Sequence, residues 1–421
     1  MAEMKDSDIR WIGQIPKKWK VIRVKDAFTR KKAKAKQENP VILSLARSGV
    51  KVRDITNNEG QLAENYSDYN PVMVDDLLLN PMDLISGDNC NISKIEGVIS
   101  PAYVNLRYKK GINPEFYNFY FKYQYWCKAF FAYGKGVSFE NRWTLNYDIL
   151  ERFPLILPSI EEQNRIEKFL KEKCAEIDAL HTDIEKQIET LEEYKKSIIT
   201  EAVTKGLDPD VEMKDSGIEW VGMIPKHWDV HPVYSYFGER KNRNKLGKET
   251  NLLSLSYGNI IRKDINTNGG LLPENFNNYN IVEANDIIIR PTDLQNDKHS
   301  LRTGLVTEHG IITSAYIDLY PQKNINSQFF HYLLHAYDLM KVFYNMGNGV
   351  RQGLNYSEFS RLMVYFPLPN EQKEIVEYLN TKCAEIDDVI VDKKKQLETL
   401  EQYKKSLVYE YVTGKKEVLN D

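Results

Sequence analysis

Apolar residues recur at heptad spacing in two long stretches of the chain. The first stretch runs from Ser159 to about Gly206, and the second, from Asn370 to about Gly414, keeps the same register. One row repeats every seven residues, and a second row follows it three positions later, with Leu180, Gln187 and Tyr194 as its members in the first stretch and Val389, Gln396 and Tyr403 in the copy. This spacing is typical of a coiled-coil seam. The predicted seam residues are Leu170, Ile177, Ile184, Gln187, Leu191, Ile198, Leu379, Ile386, Gln396, Leu400 and Leu407.

The ends of the first long helix are also marked in the sequence. Ser159 followed by Glu162 predicts a capping box, and Gly206 with Pro209 predicts the end of the helix. About 40 helical residues at roughly 1.5 Å each make a rod of about 60 Å. Two equal rods in one chain can pair with each other. A solvated rod that only mediates oligomerisation is the alternative when one copy is considered alone.

The chain is an internal repeat, in which the second half copies the first at an offset of about 209 residues. Met-Lys-Asp-Ser occurs at 4–7 and again at 213–216, and Lys-Cys-Ala-Glu-Ile-Asp occurs at 173–178 and again at 382–387. Each half is therefore predicted to be a globular module followed by a long helix. The predicted boundaries are a first module at 1–158, a first helix at 159–206, a linker and second module at 207–368, and a second helix with a tail at 369–421.

Within a module the patterns indicate a mixed α/β fold. Segments 41–46, 72–79 and 97–108 have the composition of strands, and 114–133 is predicted as a helix that proline opens. Eleven aromatic side chains lie in that helix. Stacking on bases is one possible role, but the aromatics recur all round the helix, which favours packing against a sheet.

Charge is distributed unevenly, although the net charge is only -3. Residues 17–36 hold ten Lys or Arg and one acid, while 161–201 hold twelve acids and seven basic side chains. Local basic patches of this kind can bind phosphate on a slightly acidic molecule. The predicted phosphate contacts are Arg30, Lys31, Lys32, Lys34 and Lys36 in the first module and Arg240, Lys241 and Arg243 in the second. A solvated lysine-rich loop is the open alternative for either patch.

A glycine-framed loop follows the aromatic helix in both modules. Gly-Lys-Gly-Val at 134–137 matches Gly-Asn-Gly-Val at 347–350, but the residues that follow diverge in length and content. Arg can pair with guanine, and Gln or Asn with adenine, through two hydrogen bonds each. The candidate base-reading residues are therefore Lys135, Ser138, Arg142, Asn348, Arg351 and Gln352. A flexible surface turn is an equally weighted alternative.

No catalytic or metal-binding motif is recognisable. Asn80-Pro81-Met82-Asp83 lacks the second proline and the aromatic residue of a methyltransferase motif, and no phosphate-binding Gly-x-x-x-x-Gly-Lys-Ser/Thr loop occurs. His331 and His335 share a helical face, but no third ligand lies nearby in the sequence, which favours packing or surface positions. The four cysteines show neither zinc nor disulfide spacing. No long apolar run or signal stretch occurs, and a cytoplasmic location is expected.

The arrangement resembles the DNA-specificity (S) subunit of type I restriction-modification systems over nearly the whole chain. The most specific marks are Met-Lys-Asp-Ser-Gly-Ile-Glu-Trp-Val-Gly-Met-Ile-Pro-Lys-His-Trp at 213–228, its variant at 4–19, the Pro-Ser-Ile-Glu-Glu-Gln helix entry at 158–163 and the pair of long helices. The resemblance implies two mixed α/β target-recognition domains joined by an antiparallel coiled coil, with pseudo-two-fold symmetry.

The same resemblance implies a subunit that catalyses nothing and binds no cofactor. Its partners would be duplex DNA, two adenine-methylating (M) subunits and, in the restriction complex, motor-nuclease (R) subunits that bind ATP, with S-adenosylmethionine bound by the M subunits. Because the two modules differ in their loops, the expected target is bipartite and asymmetric. A coiled-coil scaffold that joins proteins without reading DNA is the main alternative, and a freestanding nuclease or methyltransferase is a third.

Overall fold

The computed structural model describes residues 3–36, 39–46, 48–55, 66–82, 84, 89–136, 143–265, 275–292, 301–346 and 353–418. The chain divides into two compact units. The first unit consists of residues 1–184 with 394–421, and the second consists of residues 185–393. Each unit therefore contains one globular module and one part of each long helix.

The first module and the long helix that follows it contain twelve strands and five helices among the described residues. In chain order these are β1 (Met4–Asp6), β2 (Gln14–Pro16), β3 (Lys20–Arg23), α1 (Val24–Ala27), β4 (Phe28–Arg30), β5 (Leu43–Ala46), β6 (Gly49–Val52), β7 (Asn70–Val72), β8 (Leu77–Leu79), β9 (Cys90–Ile92), β10 (Gly97–Ile99), β11 (Val104–Tyr108), α2 (Pro114–Trp126), α3 (Ala129–Tyr133), α4 (Tyr147–Leu150), β12 (Pro154–Leu157) and α5 (Ile160–Lys205).

The second module repeats this succession. Its described elements are β13 (Met213–Asp215), β14 (Met223–Pro225), β15 (Asp229–Pro232), β16 (Phe237–Glu239), β17 (Leu253–Ser256), β18 (Asn259–Arg262), β19 (Asn280–Val282), β20 (Ile287–Ile289), β21 (Thr303–Leu305), β22 (Gly310–Ile312), β23 (Ile317–Pro321), α6 (Ser327–Leu339), α7 (Tyr356–Phe359), β24 (Met363–Phe366) and α8 (Pro369–Val412). Short 3-10 turns at Val233–Ser235 and Val342–Asn345 replace two of the α-helices of the first module.

The strand pairing is the same in both units. A four-stranded antiparallel sheet has the order β4-β11-β8-β9 in the first unit and β16-β23-β20-β21 in the second. Four two-stranded ribbons accompany each sheet: β1-β2, β3-β12, β5-β6 and β7-β10, and their counterparts β13-β14, β15-β24, β17-β18 and β19-β22. The predicted mixed α/β fold and the internal repeat are confirmed.

Two of the predicted strands are each two separate strands. The segment 72–79 breaks at Asp75, whose φ of 67° takes the chain through a turn between β7 and β8. The Asp76 carboxylate stabilises that turn because it accepts a hydrogen bond from the backbone N–H of Met73. Likewise the segment 97–108 is β10 and β11, which pair with β7 and β8 respectively. A strand pattern by itself did not reveal that the chain changes sheets at these points.

The aromatic helix forms the core of the first module. Asn113 caps α2, since its side-chain oxygen accepts hydrogen bonds from the N–H groups of Glu115 and Phe116. The helix ends at Trp126, and Lys128 adopts a left-handed conformation before α3 begins. Phe116 and Tyr120 are fully buried within the main apolar cluster. Packing, rather than stacking on bases, is therefore the role of this helix.

The two long helices pair in antiparallel fashion within each unit. In the first unit the Lys404 ammonium lies 2.6 Å from the Asp178 carboxylate, and in the second unit Lys195 makes the equivalent contact with Asp387 at 2.6 Å. The capping box predicted for α5 is present: the Ser159 N–H donates to the Glu162 carboxylate, and the Glu162 N–H donates to the Ser159 hydroxyl. The antiparallel coiled coil is confirmed.

The second row of the predicted seam is wrong. Gln187 and Gln396 are exposed, as are the apolar members of their row, including Leu180 at 53% and Tyr194 at 57%. The inward row lies four residues after the first row, not three, and consists in α5 of Cys174, His181, Ile188, Lys195 and Ala202. The other predicted seam residues do face inward: Leu170, Ile177, Ile198, Leu379, Ile386 and Leu407 are buried, and Ile184, Leu191 and Leu400 are half-buried.

The partner row of a seam can lie either three or four residues after the first row, and this ambiguity explains why the wrong row was predicted. In a heptad the step from position a to d is three residues and the step from d to the next a is four. Taking the Leu170 row as position a predicted Leu180 and Tyr194 as its partners. The structure makes it position d, because the facing helix buries the stem of Lys195 and leaves Tyr194 in solvent.

In the part of the chain that the structure describes, no helix is both long enough and apolar enough to cross a membrane. Cys90, Cys174 and Cys383 are buried thiols that form no disulfide, and Cys127 is a partly buried thiol of the same kind. Cys174 and Cys383 occupy equivalent buried places in the coiled-coil seam.

Candidate nucleic-acid interface

The predicted basic segment of the first unit follows the edge strand of the main sheet. Strand β4 is the outermost strand of that sheet, and residues 31–36 continue beyond it. The Lys31 N–H donates to the carbonyl of Asn105, and the Ala35 N–H donates to the carbonyl of Tyr69. Lys32, Lys34 and Lys36 are exposed, whereas Arg30 and Lys31 are half-buried. The segment therefore has a backbone tied to the module and three ammonium groups in solvent.

The side chains of this segment have only weak partners among the described residues. The Arg30 guanidinium lies 4.3 Å from the centre of the Tyr147 ring. Lys34 pairs with Asp68 at 2.9 Å, but both side chains are more than 60% exposed. An exposed pair of this kind contributes about 0–1 kcal/mol, and a phosphate can replace the carboxylate at little cost. Lys36 adopts a left-handed backbone conformation with a φ of 51°.

The equivalent segment of the second unit holds its charges more tightly. The Arg240 guanidinium makes two hydrogen bonds to the buried Asp286 carboxylate, at 2.7 and 3.0 Å. Lys241 pairs with Glu239 at 2.8 Å, and the Arg243 guanidinium donates to the carbonyl of Asn278. Arg240 is therefore engaged inside the module, so a phosphate contact by this residue has less support than one by Lys241 or Arg243.

A buried acid beside this segment was not identified from the sequence. In the first unit Asp76 accepts two hydrogen bonds from Arg107, both at 2.7 Å, and one from the Asn105 amide at 3.2 Å. In the second unit Asp286 pairs with Arg240 instead, and Asp318 stands where the first unit has Asn105. Asp76 and Asp286 are matching positions of the repeat, but nothing in the sequence indicates that their arginines come from different strands.

The carboxyl group of Asp318 changes the chemistry around the Arg240–Asp286 pair. Asp318 is 1% exposed and lies 4.0 Å from the Arg240 guanidinium. Burial raises the pKa of Asp318 to about 8, and the negative charge of Asp286 adds to that rise. Asp318 consequently keeps its proton at neutral pH while Asp286 carries the charge that Arg240 neutralises.

The structure describes the base of one glycine-framed loop. The backbone groups of Lys135 and Thr144 exchange two hydrogen bonds, at 2.8 and 3.0 Å, and close the loop in the first unit. The chain after each loop is held to the module by equivalent bonds, from the Leu145 N–H to the Pro81 carbonyl and from the Leu354 N–H to the Pro291 carbonyl. Five of the predicted base-reading residues lie outside the described residues: Ser138, Arg142, Asn348, Arg351 and Gln352.

His331 and His335 face a cavity of about 480 Å³ in the second unit, which Lys195 and Asp387 also line. Burial lowers the pKa of each histidine to about 4, so both are neutral at pH 7. Within the described ranges, no group of three or more His, Cys, Asp or Glu side chains is arranged to hold a metal ion. The two rings are packing groups beside a hollow, as the sequence indicated.

The sequence has clear similarity to known proteins. Residues 237–401 match the family described as the type I restriction modification DNA specificity domain. The putative type I restriction enzyme MjaX specificity subunit of Methanocaldococcus jannaschii is 27% identical over 96% of this chain and 95% of its own length. The MjaVIII specificity subunit of the same organism is 27% identical over 82% of this chain and 81% of its own length.

The fold is similar to that of solved chains. A chain from a structure of the assembly and conformational transition of a type I restriction-modification system superposes with a TM-score of 0.71, at 12% identity, and covers 96% of this chain and 99% of that one. The HsdS subunit from Thermoanaerobacter tengcongensis gives a TM-score of 0.53 at 12% identity, with coverage of 96% and 98%. These likenesses concern the fold alone.

A two-module fold with a specificity-domain match defines a protein that recognises DNA sequence. Over most of its length the chain is similar to the specificity (S) subunits of type I restriction-modification systems, and residues 237–401 match the DNA specificity domain of that family. It is a targeting subunit and not itself an enzyme, as the resemblance implied. The alternatives of a scaffold that does not read DNA and of a freestanding nuclease or methyltransferase are not favoured.

Proposed function

We propose that this S subunit reads a bipartite, asymmetric duplex sequence, one half-site with each module. The recognition domains would be residues 1–158 and 207–368, with the long helices at 159–206 and 369–421 between and after them. Lysine and arginine side chains beside β4 and β16 would bind phosphates. The glycine-framed loops would contact base edges.

One observation carries this proposal. In each unit a basic segment continues from the edge strand of the four-stranded sheet. The N–H of the first residue after that strand donates to a carbonyl group of the neighbouring strand. Lys31 makes this bond to Asn105 and Arg240 makes it to Asp318. A repeated, backbone-anchored cationic edge suits a ligand with a repeated charge, such as the phosphate backbone of a duplex. The divergent loops beside this constant edge suit two different half-sites.

The partners proposed for the chain are two M subunits and, for restriction, R subunits. S-adenosylmethionine would be bound by the M subunits and ATP by the R subunits, and the target adenine would leave the base stack to reach the M active site. A cytoplasmic location is part of the same proposal.

Methylation sequencing tests the specificity. The chain is expressed with its M subunits in a host that lacks other adenine methylation, and methylated positions are mapped over the genome. We expect a single split motif with two unlike halves. Methylation at scattered sites without a common motif would refute sequence recognition. A palindromic motif would refute the assignment of different half-sites to the two modules.

Lys31 and Lys32 test the phosphate contact. The Lys31→Gln, Lys32→Gln double variant should weaken binding to the target and to random-sequence duplex alike, and the salt slope of binding should fall by about 0.9 for each phosphate that is no longer neutralised. Lys168→Gln combined with Lys186→Gln is a charge-matched control at exposed positions of α5, outside the predicted segment. If the double variant keeps the wild-type salt slope, Lys31 and Lys32 belong to a solvated segment instead.

A further inference from the structure

The first unit carries a second basic surface, which is distinct from the segment at 31–36. It lies where β3 and α1 approach the other end of edge strand β4. We name it the β3 cluster, and its residues are Lys20, Arg23, Lys25, Lys109, Lys110 and Arg152, all of which are exposed. The acids next to it are Asp26 and Glu151, which leaves an excess of four positive charges.

Backbone hydrogen bonds bring these distant parts of the sequence together. The Lys25 N–H donates to the Glu151 carbonyl at 3.0 Å, and the Lys109 N–H donates to the Ala27 carbonyl at 2.9 Å. The Lys109 ammonium also donates to the Lys25 carbonyl at 2.7 Å. Arg23 pairs with Pro154 in the β3-β12 ribbon, and Arg152 lies only two residues before Pro154 in the chain. The cluster is therefore built from three segments that fixed main-chain contacts hold in place.

The second unit has the same backbone contacts but much less positive charge. The Tyr234 N–H donates to the Ser360 carbonyl, as Lys25 does to Glu151, and the Gln322 N–H donates to the Tyr236 carbonyl, as Lys109 does to Ala27. These bonds align the two surfaces residue by residue. The positions of the β3 cluster are occupied in the second unit by Asp229, Pro232, Tyr234, Gln322, Lys323 and Arg361. That set has two basic residues and one acid.

The composition of the β3 cluster favours phosphate over a protein surface as its ligand. Protein interfaces are depleted in lysine and enriched in aromatic side chains. The β3 cluster contains four lysines and two arginines, and the exposed apolar side chains beside it are Val21 at 43% and Tyr108 at 41%. Its one described ion pair, between Arg152 and Glu151, is 3.8 Å long. Exposed ammonium groups without close carboxylates are available to a polyanion.

We propose that the β3 cluster binds the phosphate backbone of duplex DNA outside the half-site of the first module, a contact that the second module does not make. This inference rests on the proposed function, because it takes the segment at 31–36 to lie on the target. Phe28 is at the end of β4 beside the β3 cluster, and Lys34 lies in the segment at 31–36. Even in a fully extended chain these two residues are at most about 20 Å apart. The protected region would therefore extend by up to about six base pairs, at roughly 3.4 Å per pair, on one side of the target.

The test compares loss of charge in the first unit with gain of charge in the second. Lys25→Gln combined with Lys109→Gln removes two charges from exposed positions. Tyr234→Lys combined with Gln322→Lys adds two charges at the matched positions. Each variant is assembled with the M subunits, and binding is measured against salt on the methylated motif in duplexes that have long flanks, or one flank trimmed to the motif.

We expect the loss variant to reduce the salt slope by about 1.8 on long duplexes. Trimming the flank beside the first half-site should remove that difference, whereas trimming the other flank should leave it. The gain variant should increase the slope, and only while the flank beside the second half-site is present. Both variants should methylate the same motif as the wild type, which separates this inference from the proposed function.

Three results would overturn the inference. An unchanged slope on every duplex would mean that the lysines do not contact DNA. A slope difference that survives trimming of the adjacent flank would place them on the target itself. Normal DNA binding combined with impaired recruitment of the R subunits would assign the β3 cluster to an acidic protein surface.

Discussion

The two units use the same sheet to bury a carboxylate, but they neutralise it differently. In the first unit Asp76 is paired by Arg107 from β11, the strand at the centre of the pairing, and Asn105 completes the contacts. In the second unit Asp286 is paired by Arg240, which follows the edge strand β16, and Asp318 replaces the amide. The difference affects the segment that we propose to contact DNA, because Arg240 belongs to it and Arg107 does not.

The comparison shows how a repeated scaffold can change its surface without changing its fold. The acid at Asp76 and Asp286 is retained, since its oxygens accept the N–H of Met73 in one unit and of Glu283 in the other and so hold the turn before β8 and β20. Its cation can come from any strand that reaches it. Moving the arginine from a central strand to the edge removes one free charge from the surface available to phosphate.

Removal of the arginine from the first unit should have the largest effect. Arg107→Met would leave Asp76, which is 1% exposed, without its cation, and breaking such a pair costs about 3 kcal/mol. We expect hydrogen exchange to accelerate at the amides of β8 and β11 and to be unchanged in the second unit. Adding Asp76→Asn to Arg107→Met removes both charges and should restore part of the protection. Equal exchange in the single and double variants would contradict a charge effect.

The second carboxyl group should make the second unit sensitive to alkaline pH. The pKa of Asp318 is about 8 in the folded chain and about 4 in an unfolded one. Between these values the unfolded chain has released a proton that the folded chain retains, so stability is present at low pH and is lost as pH rises towards 8.

Asp318→Asn should remove this loss. We expect the second unit to gain several kcal/mol at pH 8 and little at pH 4, measured by hydrogen exchange of β20 and β23. The matched change Asn105→Asp should introduce the same alkaline sensitivity in the first unit. A pH-independent effect of Asp318→Asn would argue against a buried protonated carboxyl.

Acid should destabilise the second unit more than the first. His331 and His335 have pKa values of about 4 in the folded chain, and an unfolded histidine has one of about 6.5. Stability is therefore complete above pH 6.5 and falls as the pH drops towards 4, by roughly 2 kcal/mol for each ring by pH 5. Asn118 and Lys122 occupy the equivalent places on α2.

Replacing both histidines tests this difference. His331→Asn with His335→Gln should flatten the dependence of unfolding on pH between 7 and 5, measured by hydrogen exchange in α6. His227→Gln, a change at an exposed position, serves as the control. Unchanged acid sensitivity after the double replacement would place its origin elsewhere.

The smallest effect is expected at the two glutamines of the coiled coil, where the two units agree. Gln187→Leu and Gln396→Leu should each change the free energy of unfolding by less than about 0.5 kcal/mol, because both residues are exposed. Ile188→Ala, one residue away in the buried row, should cost about 2 kcal/mol. Thermal unfolding of the full chain measures both. A clear stabilisation by either leucine would indicate that positions 187 and 396 do lie in the seam.

Much of the architecture was predictable because it follows from local and repeated patterns. The heptads and the capping box of Ser159 and Glu162 predicted the long helix and its start. The offset copy predicted two modules, and the aromatic residues at 114–133 predicted a helix that packs against a sheet. Each of these signals depends on residues close together in the chain or on a comparison of the chain with itself. The turns at Asp75 and Lys128 were missed because a break of one or two residues hardly changes a hydrophobic pattern.

The order of residues was enough to predict the repeat and the paired long helices, and to indicate the family that this protein resembles. The packing of the folded chain was needed to establish which heptad row faces inward, which arginine neutralises each buried acid, and that Lys25, Lys109 and Arg152 form one surface. The cause is the same in all three cases. A helix row becomes a seam, a carboxylate becomes paired and scattered lysines become a cluster only when a remote segment of the chain is packed against them.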